Sequence, residues 1–199
     1  MKSLNKRMIL PFLLTVFLIL ADQGTKSFIV KNWPGDQVFI TDVFGNDMLW
    51  IIHVRNKAIA FSLGYNLPDS VKPLLFIVMP LVVLGFLLWY YVKSRELTGL
   101  QRWAVAGIIG GGAGNLIDRI FRPDGVVDFI SVRFFGIESF KEGPLAFLSW
   151  PRWPTFNIAD AGVVVSVFIF LFSILLPSKH TQEEPSGDLR GNIGGKGKL

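Results

Sequence analysis

The sequence of 199 residues contains no cysteine and only two histidines, at positions 53 and 180. Without cysteine the chain has no disulfide, no thiolate metal site, no cysteine nucleophile and no lipidated N-terminal cysteine. Because neither His53 nor His180 has a partner nearby in the sequence, we expect no zinc site. Charged residues are also scarce, at 18% of the chain, against roughly a quarter in a soluble domain. This composition argues against an ordinary soluble protein.

Apolar residues make up 51% of the chain and come in long blocks rather than in short periodic stripes. Each of these blocks is near the roughly 20 residues that a helix needs to cross a bilayer. The four blocks predict spans at about residues 8–30, 73–92, 103–121 and 157–176. We therefore expect an all-α membrane protein whose four transmembrane helices form one domain over residues 1–177. The polar, glycine-rich residues 178–199 are predicted to form a disordered cytoplasmic tail.

Basic residues in short flanks predict which side of the membrane each loop occupies. Two basic clusters, one before the first span and one between the second and third, indicate the cytoplasm: Lys2, Lys6 and Arg7, then Lys93, Arg95 and Arg102. Both termini are therefore expected in the cytoplasm, with two larger loops outside. The same flanks account for the net charge of +5, so we expect no nucleic-acid partner.

The first span also admits a second interpretation, as a cleaved signal peptide that follows the basic start "MKSLNKR". Ile19 and Ala21 would occupy the two positions that prefer small residues, and apolar sequence resumes after Lys26. Both features favour a retained span.

The two outer loops differ in character. The first, residues 32–71, contains the β-branched and aromatic stretches "QVFITDVF" and "LWIIHVRNKAIAFSLG", with a turn signal at residues 45–47. We expect a small β-sheet on the outer membrane surface there. The second, residues 122–154, ends close to three aromatic residues that suit a membrane interface, namely Trp150, Trp153 and Phe156.

Polar side chains interrupt the first and fourth spans near their outer ends. Asp22 and Lys26 are four residues apart, as in an acid–base pair on one helix face. Asn157 and Asp160 are three residues apart at the start of the fourth span, so they also share a face. Polar groups inside a span usually face a partner or a water-filled cavity.

The third span carries the stretch "GGGAGNLIDR" near its end. Its glycines, Gly111 among them, favour close helix packing. Asn115 and Arg119 continue the helix face of Gly111, and Asp118 lies beside Arg119. Two interpretations of Arg119 stay open, a structural salt bridge with Asp22 or Asp118 and a place in a functional site.

Asp128 and Asp160 are the best candidates for a pair of carboxylates at one depth. Two carboxylates in one partly dry site share a proton, and such a pair activates water against a peptide carbonyl. We expect Asp160, at a helix N-terminus, to be mainly ionised. Asp128 lies among apolar residues in "GVVDFI" and is expected to carry the proton. The alternative is that each aspartate caps a helix or pairs with an arginine.

Five stretches in order match one family: "ADQGTK" at residues 21–26, "RNKAIAF" at 55–61, "GGGAGNLIDR" at 110–119, "VVDFI" at 126–130 and "FNIADAG" at 156–162. On these motifs the chain resembles the lipoprotein signal peptidases, the bacterial type II signal peptidases. Ala58 and Ile59 depart from the pattern, which has glycine and alanine there, and the stretch 129–155 is longer than usual.

The resemblance implies a membrane aspartic endopeptidase that removes the signal peptide of diacylglyceryl-modified prolipoproteins, cutting just before the lipid-bearing cysteine. It implies Asp128 and Asp160 as the catalytic pair and a supporting set of Asn56, Asn115, Arg119 and Asn157. Four further residues match motif positions whose roles are less defined: Asp22, Lys26, Gly111 and Asp118.

The resemblance also implies a setting for this chemistry. The protein is expected in the bacterial inner membrane as a monomer in contact with lipid, with its site near the outer face. It is expected to need no cofactor and no metal, and to bind inhibitors of the globomycin type. The alternative function is a small proton-coupled transporter, which would also keep acidic residues in its spans.

Overall fold

The structure is a computed structural model that describes residues 6–33, 40–57, 68, 70–133 and 152–176. Within these residues the helices are α1 (Lys6–Ile9), α2 (Phe12–Asn32), α3 (Met79–Lys93), α4 (Gly99–Phe121) and α5 (Ile158–Leu175). A π-helical turn, Leu74–Val78, leads directly into α3. The strands are β1 (Thr41–Asp42), β2 (Leu49–Asn56) and β3 (Val126–Val132). The predicted tail lies outside the described residues.

Three of the described helical stretches are long and apolar enough to cross a membrane: Lys6–Asn32, Leu74–Lys93 and Ile158–Leu175. They coincide with the predicted spans at residues 8–30, 73–92 and 157–176. The predicted span at residues 103–121 corresponds to α4, which is 23 residues long but is not among these apolar helices. Its glycines and polar side chains lower its hydropathy.

α4 begins earlier than the sequence predicts because a capping box fixes its start. The Thr98 hydroxyl accepts from the Gln101 backbone N–H at 3.2 Å, and the Gln101 side chain accepts from the Thr98 N–H at 3.0 Å. Arg102 then donates to the carbonyl oxygens of Tyr91 and Ser94 at 3.1 and 2.9 Å. These bonds tie the start of α4 to the end of α3.

α4 is the central helix, and it packs against α2, α3 and α5. Near one end the Thr15 hydroxyl donates to the Ala106 carbonyl at 2.7 Å, and farther along Gln23 donates to the Gly114 carbonyl at 3.0 Å. Residue numbers therefore rise together on α2 and α4, which run parallel. A Cβ on Gly110 would lie 2.9 Å from the Thr15 Cα, so only glycine permits this close approach.

The described strands form one antiparallel sheet in the order β1-β2-β3. Val54 pairs with Asp128 and Asn56 with Val126, after an irregularity in β2 between Ile51 and Val54. The sheet expected in the first outer loop is present, but β3 comes from the second loop, where the sequence analysis predicted no strand. The alternation of apolar and polar residues that would indicate a strand is missing from β3, because residues on both of its faces are buried.

A short turn joins α4 to β3 and brings Asp128 close to the end of the central helix. The Gly125 N–H donates to the Arg122 carbonyl at 3.0 Å. Gly125 has φ +105°, and a Cβ there would lie 2.5 Å from the Asn56 carbonyl oxygen. Glycine is required on both counts.

Candidate active site

One residue, Asn157, connects the two predicted catalytic carboxylates. Its side-chain Nδ2 donates to Asp128 Oδ1 at 2.7 Å, and its backbone N–H donates to Asp160 Oδ2 at 3.1 Å. Asn157 is fully buried. The structure therefore brings Asp128 of β3 and Asp160 of α5 together around a single buried residue.

Asp160 owes its position to the way α5 begins. Asn157 is the N-cap, and its Oδ1 accepts from the Asp160 backbone N–H at 3.0 Å. In return, Asp160 Oδ2 accepts from the Asn157 backbone N–H. This reciprocal capping box follows from the spacing N-x-x-D. Asp160 therefore contributes to the cap of α5, and this does not exclude a catalytic role, because Oδ1 accepts one hydrogen bond from Asn115, Oδ2 accepts one from Asn157 and each oxygen keeps a second lone pair.

Asp128 is 2% exposed and accepts two amide hydrogen bonds. Asn56 donates to its Oδ2 at 2.9 Å, and Asn157 donates to its Oδ1. Burial, and to a lesser extent the nearby charge of Asp160, raise the pKa of Asp128 to about 6, against the opposing effect of the two amide donors. The direction agrees with the expectation that Asp128 carries the proton.

The amide of Asn115 is oriented by a lysine. Lys26 Nζ donates to Asn115 Oδ1 at 2.9 Å, and Asn157 Nδ2 donates to the same oxygen at 3.0 Å. Because an ammonium group only donates, the oxygen of Asn115 must face Lys26. Asn115 Nδ2 is thereby turned toward Asp160 Oδ1, to which it donates at 2.7 Å.

Lys26 belongs to a fully buried charge cluster. Its Nζ lies 2.8 Å from Asp22 Oδ2 and 3.0 Å from Asp118 Oδ2, and all three side chains have no exposed surface. The predicted i,i+4 pair on the first span therefore forms. Asp22 Oδ1 also accepts from the backbone N–H of Ala159 at 3.1 Å. The cluster holds α2, α4 and the start of α5 together.

Arg119 is the remaining cation of the predicted set. Its guanidinium lies 4.9 Å from the ring centroid of Phe76. The carboxylates of Asp128, Asp118 and Asp160 are close enough to act on its charge. Arg119 therefore lies over an aromatic ring at the rim of the candidate site.

Sequence reasoning missed two cluster members that also bind Asp118. Gln23 donates to Asp118 Oδ1 at 3.0 Å, and Arg122 Nη1 donates to the same oxygen at 2.7 Å. Arg122 lies four residues after Asp118, so the i,i+4 spacing was an available signal. Gln23 stands inside the motif "ADQGTK" between two residues that were singled out.

A third missed residue, Arg152, fixes the segment that leads into α5. It donates to the Ser131 carbonyl at 2.8 Å and to the Asp47 carbonyl at 2.8 Å, and its guanidinium lies 3.6 Å from the Trp50 ring centroid. The following Phe156 pairs with Ile130 as an isolated bridge. These contacts dock the residues before Asn157 on the sheet.

The family model described as signal peptidase II matches residues 14–176, which include every residue of the candidate site. The chain belongs to the signal peptidase II family.

Two curated lipoprotein signal peptidases are similar in sequence to this signal peptidase II family member over most of its length. It is 34% identical over 194 residues to a lipoprotein signal peptidase of Treponema pallidum (strain Nichols), covering 96% of each chain. It is 45% identical over 155 residues to that of Treponema denticola, covering 78% of this chain and 82% of the relative. These matches give no support to the alternative of a transporter.

Solved structures share the fold. One described as a bacterial membrane enzyme at 1.9 Å resolution aligns with a TM-score of 0.64 and 25% identity, over 83% of this chain and 92% of that one. Another with the same description at 2.3 Å aligns with a TM-score of 0.65 and 24% identity, over 87% and 92%.

Gly111 provides a test of how tightly this signal peptidase II site is held. A Cβ at Gly111 would crowd the Ala159 carbonyl oxygen and lie 2.7 Å from Val163 Cγ2. We expect Gly111→Ala to push α5 away from α4, to cost about 1–3 kcal/mol through overpacking and to lower peptidase activity at least roughly tenfold. Thermal unfolding and initial rates of cleavage measure the two effects.

Gly24→Ala is the matched control, because a Cβ at Gly24 of α2 has nothing within 4 Å. It should leave both stability and activity close to those of the unmodified protein. Equal behaviour of the two variants would show that the contact between α4 and α5 does not position the site.

Proposed function

We propose that this signal peptidase II family member is an aspartic endopeptidase that removes the signal peptide from diacylglyceryl-modified prolipoproteins. It cuts the peptide bond just before the lipid-bearing cysteine. The observation that carries the proposal is the bridge through Asn157, which joins Asp128 and Asp160 in one hydrogen-bonded unit. Family membership supports the substrate, and the paired carboxylates support the aspartic type.

In the proposed mechanism the pair holds one proton at rest, on Asp128, and water lies between the two carboxyl groups. Asp160 accepts a proton from the water as its oxygen attacks the carbonyl carbon, and Asp128 donates its proton to the carbonyl oxygen. When the tetrahedral intermediate collapses, Asp160 protonates the leaving amine and Asp128 recovers its proton. Both carboxyl groups thus return to their starting states.

The supporting residues have distinct proposed roles in this scheme. Asn115 donates to Asp160 and orients its carboxylate as the base, while Asn56 and Asn157 orient Asp128. Arg119, at the rim, is proposed to bind a carbonyl oxygen of the substrate. The charge cluster of Asp22, Lys26 and Asp118 and the close contact at Gly111 hold these groups in place.

We further propose that α4 is the fourth transmembrane helix. Its 23 residues give a length of about 35 Å, enough to cross a hydrocarbon core. It packs among the three apolar helices, so its polar side chains can be covered by protein. With basic flanks inside, both termini lie in the cytoplasm and the site lies near the outer face of the inner membrane.

The experiment that tests the function compares two substrates that differ only in lipid. The purified protein is incubated with one prolipoprotein before and after diacylglyceryl transfer to its cysteine, and mass spectrometry identifies the released peptide. We expect the protein to cleave only the modified form, just before its cysteine. It should do so as a monomer and without added metal. Globomycin should inhibit competitively. Equal cleavage of both forms would contradict the proposed substrate.

The raised pKa of Asp128 also predicts how stability depends on pH. Its pKa is about 6 in the folded protein and 3.8 in the reference state. Because the folded value is the higher one, its contribution to stability is complete below about pH 4 and is lost as pH rises through about 6. The loss is on the order of 2–3 kcal/mol. The thermal midpoint, measured against pH, reports it.

Asp128→Asn isolates this effect from other titrating groups, because asparagine does not ionise. We expect the midpoint of the unmodified protein to fall relative to that of the variant between about pH 4 and 6. Parallel curves for the two proteins would contradict a buried Asp128 with a raised pKa.

A further inference from the structure

The irregularity in β2 is a β-bulge, and it lies directly before the part of the strand that faces the candidate site. Ile51 pairs with Ile130, and the next recorded pair is Val54 with Asp128. Two residues of β2 therefore lie opposite a single residue of β3, which is the pattern of a bulge. Bulges next to active sites change the direction in which the following side chains point.

This bulge determines which face of the sheet Asn56 occupies. Residues that pair directly share a face, and so do residues two apart on one strand. Asn56 pairs with Val126, two residues before Asp128, so Asn56 and Asp128 share a face and Asn56 donates to Asp128 Oδ2 at 2.9 Å. Without the extra residue the register of Ile51 would continue, Asn56 would lie opposite Gly125, and its side chain would point to the other face.

The ladder between β2 and β3 is interrupted at the bulge. Opposite it, the Phe129 N–H donates to the Phe156 carbonyl at 3.1 Å. Phe156 lies along the edge of β3 that is not paired with β2, so this donor points away from the bulge. Side-chain contacts therefore decide how firmly the bulge is held.

His53, the second residue of the bulge, makes such a contact. Its side chain is buried, and Nδ1 donates to the backbone carbonyl of Trp33 at the end of α2. A carbonyl oxygen only accepts, so Nδ1 carries the hydrogen. Within the part of the chain that the structure describes, His53 Nε2 has no hydrogen-bond partner, so Nδ1 makes the polar contact of this ring. Trp33 is a fixed anchor, since it packs against the buried cluster of Ile29, Val127 and Phe129.

We propose that His53 is a positioning residue for the peptidase reaction, because its bond to Trp33 holds the bulge that turns Asn56 toward Asp128. His53 acts through Asn56, which lies three residues later on β2 and contacts the carboxyl group itself. The inference rests on the proposed function for its effect on cleavage. Its effect on the hydrogen bond of Asn56 is measurable without substrate.

Replacing His53 by leucine and by asparagine tests the proposal. Leucine has a similar volume but no donor, whereas asparagine carries an amide nitrogen at the branch position of Nδ1 and restores the bond to Trp33. We expect His53→Leu to lower kcat about five- to tenfold with KM within about twofold, and His53→Asn to recover most of this loss. An undiminished kcat in His53→Leu, a loss confined to KM, or equal loss in both variants would overturn the proposal.

Tyr91→Phe is the matched control for loss of stability. Tyr91 is fully buried and its hydroxyl donates to the Met8 carbonyl at 2.7 Å, so this variant also loses one bond from a buried side chain to a backbone carbonyl. Tyr91 lies near the start of α4, at the opposite end of the bundle from the candidate site. The thermal midpoints of Tyr91→Phe and His53→Leu should fall comparably, and only His53→Leu should lose kcat. Equal loss of kcat in both would show a general effect of stability and overturn the proposal.

A double-variant cycle tests whether the effect passes through Asn56. In Asn56→Ala there is no amide to orient, so adding His53→Leu should lower kcat by less than about a further twofold. Two effects that multiply in full would show that His53 acts independently of Asn56, which would overturn the proposal.

Nuclear magnetic resonance of the folded protein with isotopically labelled asparagine follows the same link without substrate. The side-chain amide signals of Asn56, identified by their absence in Asn56→Ala, should shift in His53→Leu and return in His53→Asn toward their position in the unmodified protein. Unchanged signals in His53→Leu would overturn the role of His53. Failure of the unmodified protein to cleave prolipoprotein would instead contradict the proposed function and leave this measurement interpretable.

Discussion

Replacement of Lys26 by methionine is expected to unfold or strongly destabilise the protein. The ammonium group is the shared partner of Asp22 and Asp118, and all three side chains are fully buried. Removing one partner of a buried ion pair leaves an uncompensated charge and costs about 3–5 kcal/mol. The thermal midpoint in detergent and the yield of folded protein measure this loss.

The double variant Asp22→Asn with Lys26→Met separates stability from positioning. It removes one charge of each sign, while Arg122 and Gln23 still bind Asp118. We expect stability to recover substantially but activity to stay low, because Asn115 no longer receives the bond from Lys26 that turns its Nδ2 toward Asp160. Full recovery of activity in the double variant would show that Lys26 has only a structural role.

The pairs of interacting residues that are close in sequence could be predicted from their spacing. Asp22 and Lys26 are four residues apart and pair as the helix period requires. Asn157 and Asp160 are three residues apart and form the capping box that this spacing allows. The helices were predictable for a related reason, since long apolar blocks determine where they lie. The pairing of Asp128 with Asp160 was predicted from their similar depth at the outer ends of the spans, and the family resemblance implied the same pair.

Contacts between segments that lie far apart in the sequence could not be predicted from it. Nothing in the pattern of Val126–Val132 distinguishes a buried strand from a buried loop, and its partner β2 lies about 70 residues earlier, so β3 was missed. The orientation of the Asn115 amide depends on which donor meets its oxygen, which only the packing of α2 against α4 decides. Ala58 and Ile59, the departures from the family pattern, lie outside the described residues, as does most of the long stretch 129–155.

Replacing either catalytic candidate by asparagine is expected to abolish peptide-bond cleavage. Asp160→Asn removes the base that takes a proton from water, and Asp128→Asn removes the acid that protonates the carbonyl oxygen. Each loss should lower the rate at least about 10³-fold, because the two groups act as one unit. The asparagine side chains are close in size to the aspartates, so the helix bundle should remain intact.

A matched variant within the site tests whether the loss of activity comes from the missing acid or base rather than from a disturbed structure. Asn56→Ala removes one donor to Asp128 but leaves both carboxyl groups, so it should reduce the rate by a smaller factor, on the order of tenfold. Thermal midpoints of all three variants verify that each is folded. If Asn56→Ala and Asp128→Asn were equally inactive, Asp128 would be needed for its hydrogen bonds and not for its proton.

The most direct measurement of the central claim is the single-turnover rate at which folded Asp160→Asn protein cleaves a diacylglyceryl-modified prolipoprotein. Substrate is mixed with excess enzyme in detergent, and released signal peptide is quantified by mass spectrometry beside the unmodified protein and Asp128→Asn. We predict complete conversion by the unmodified protein and no detectable release by either variant over the same period. Release by Asp160→Asn at a rate within about tenfold of the unmodified protein would contradict the claim that this pair of carboxylates activates the water.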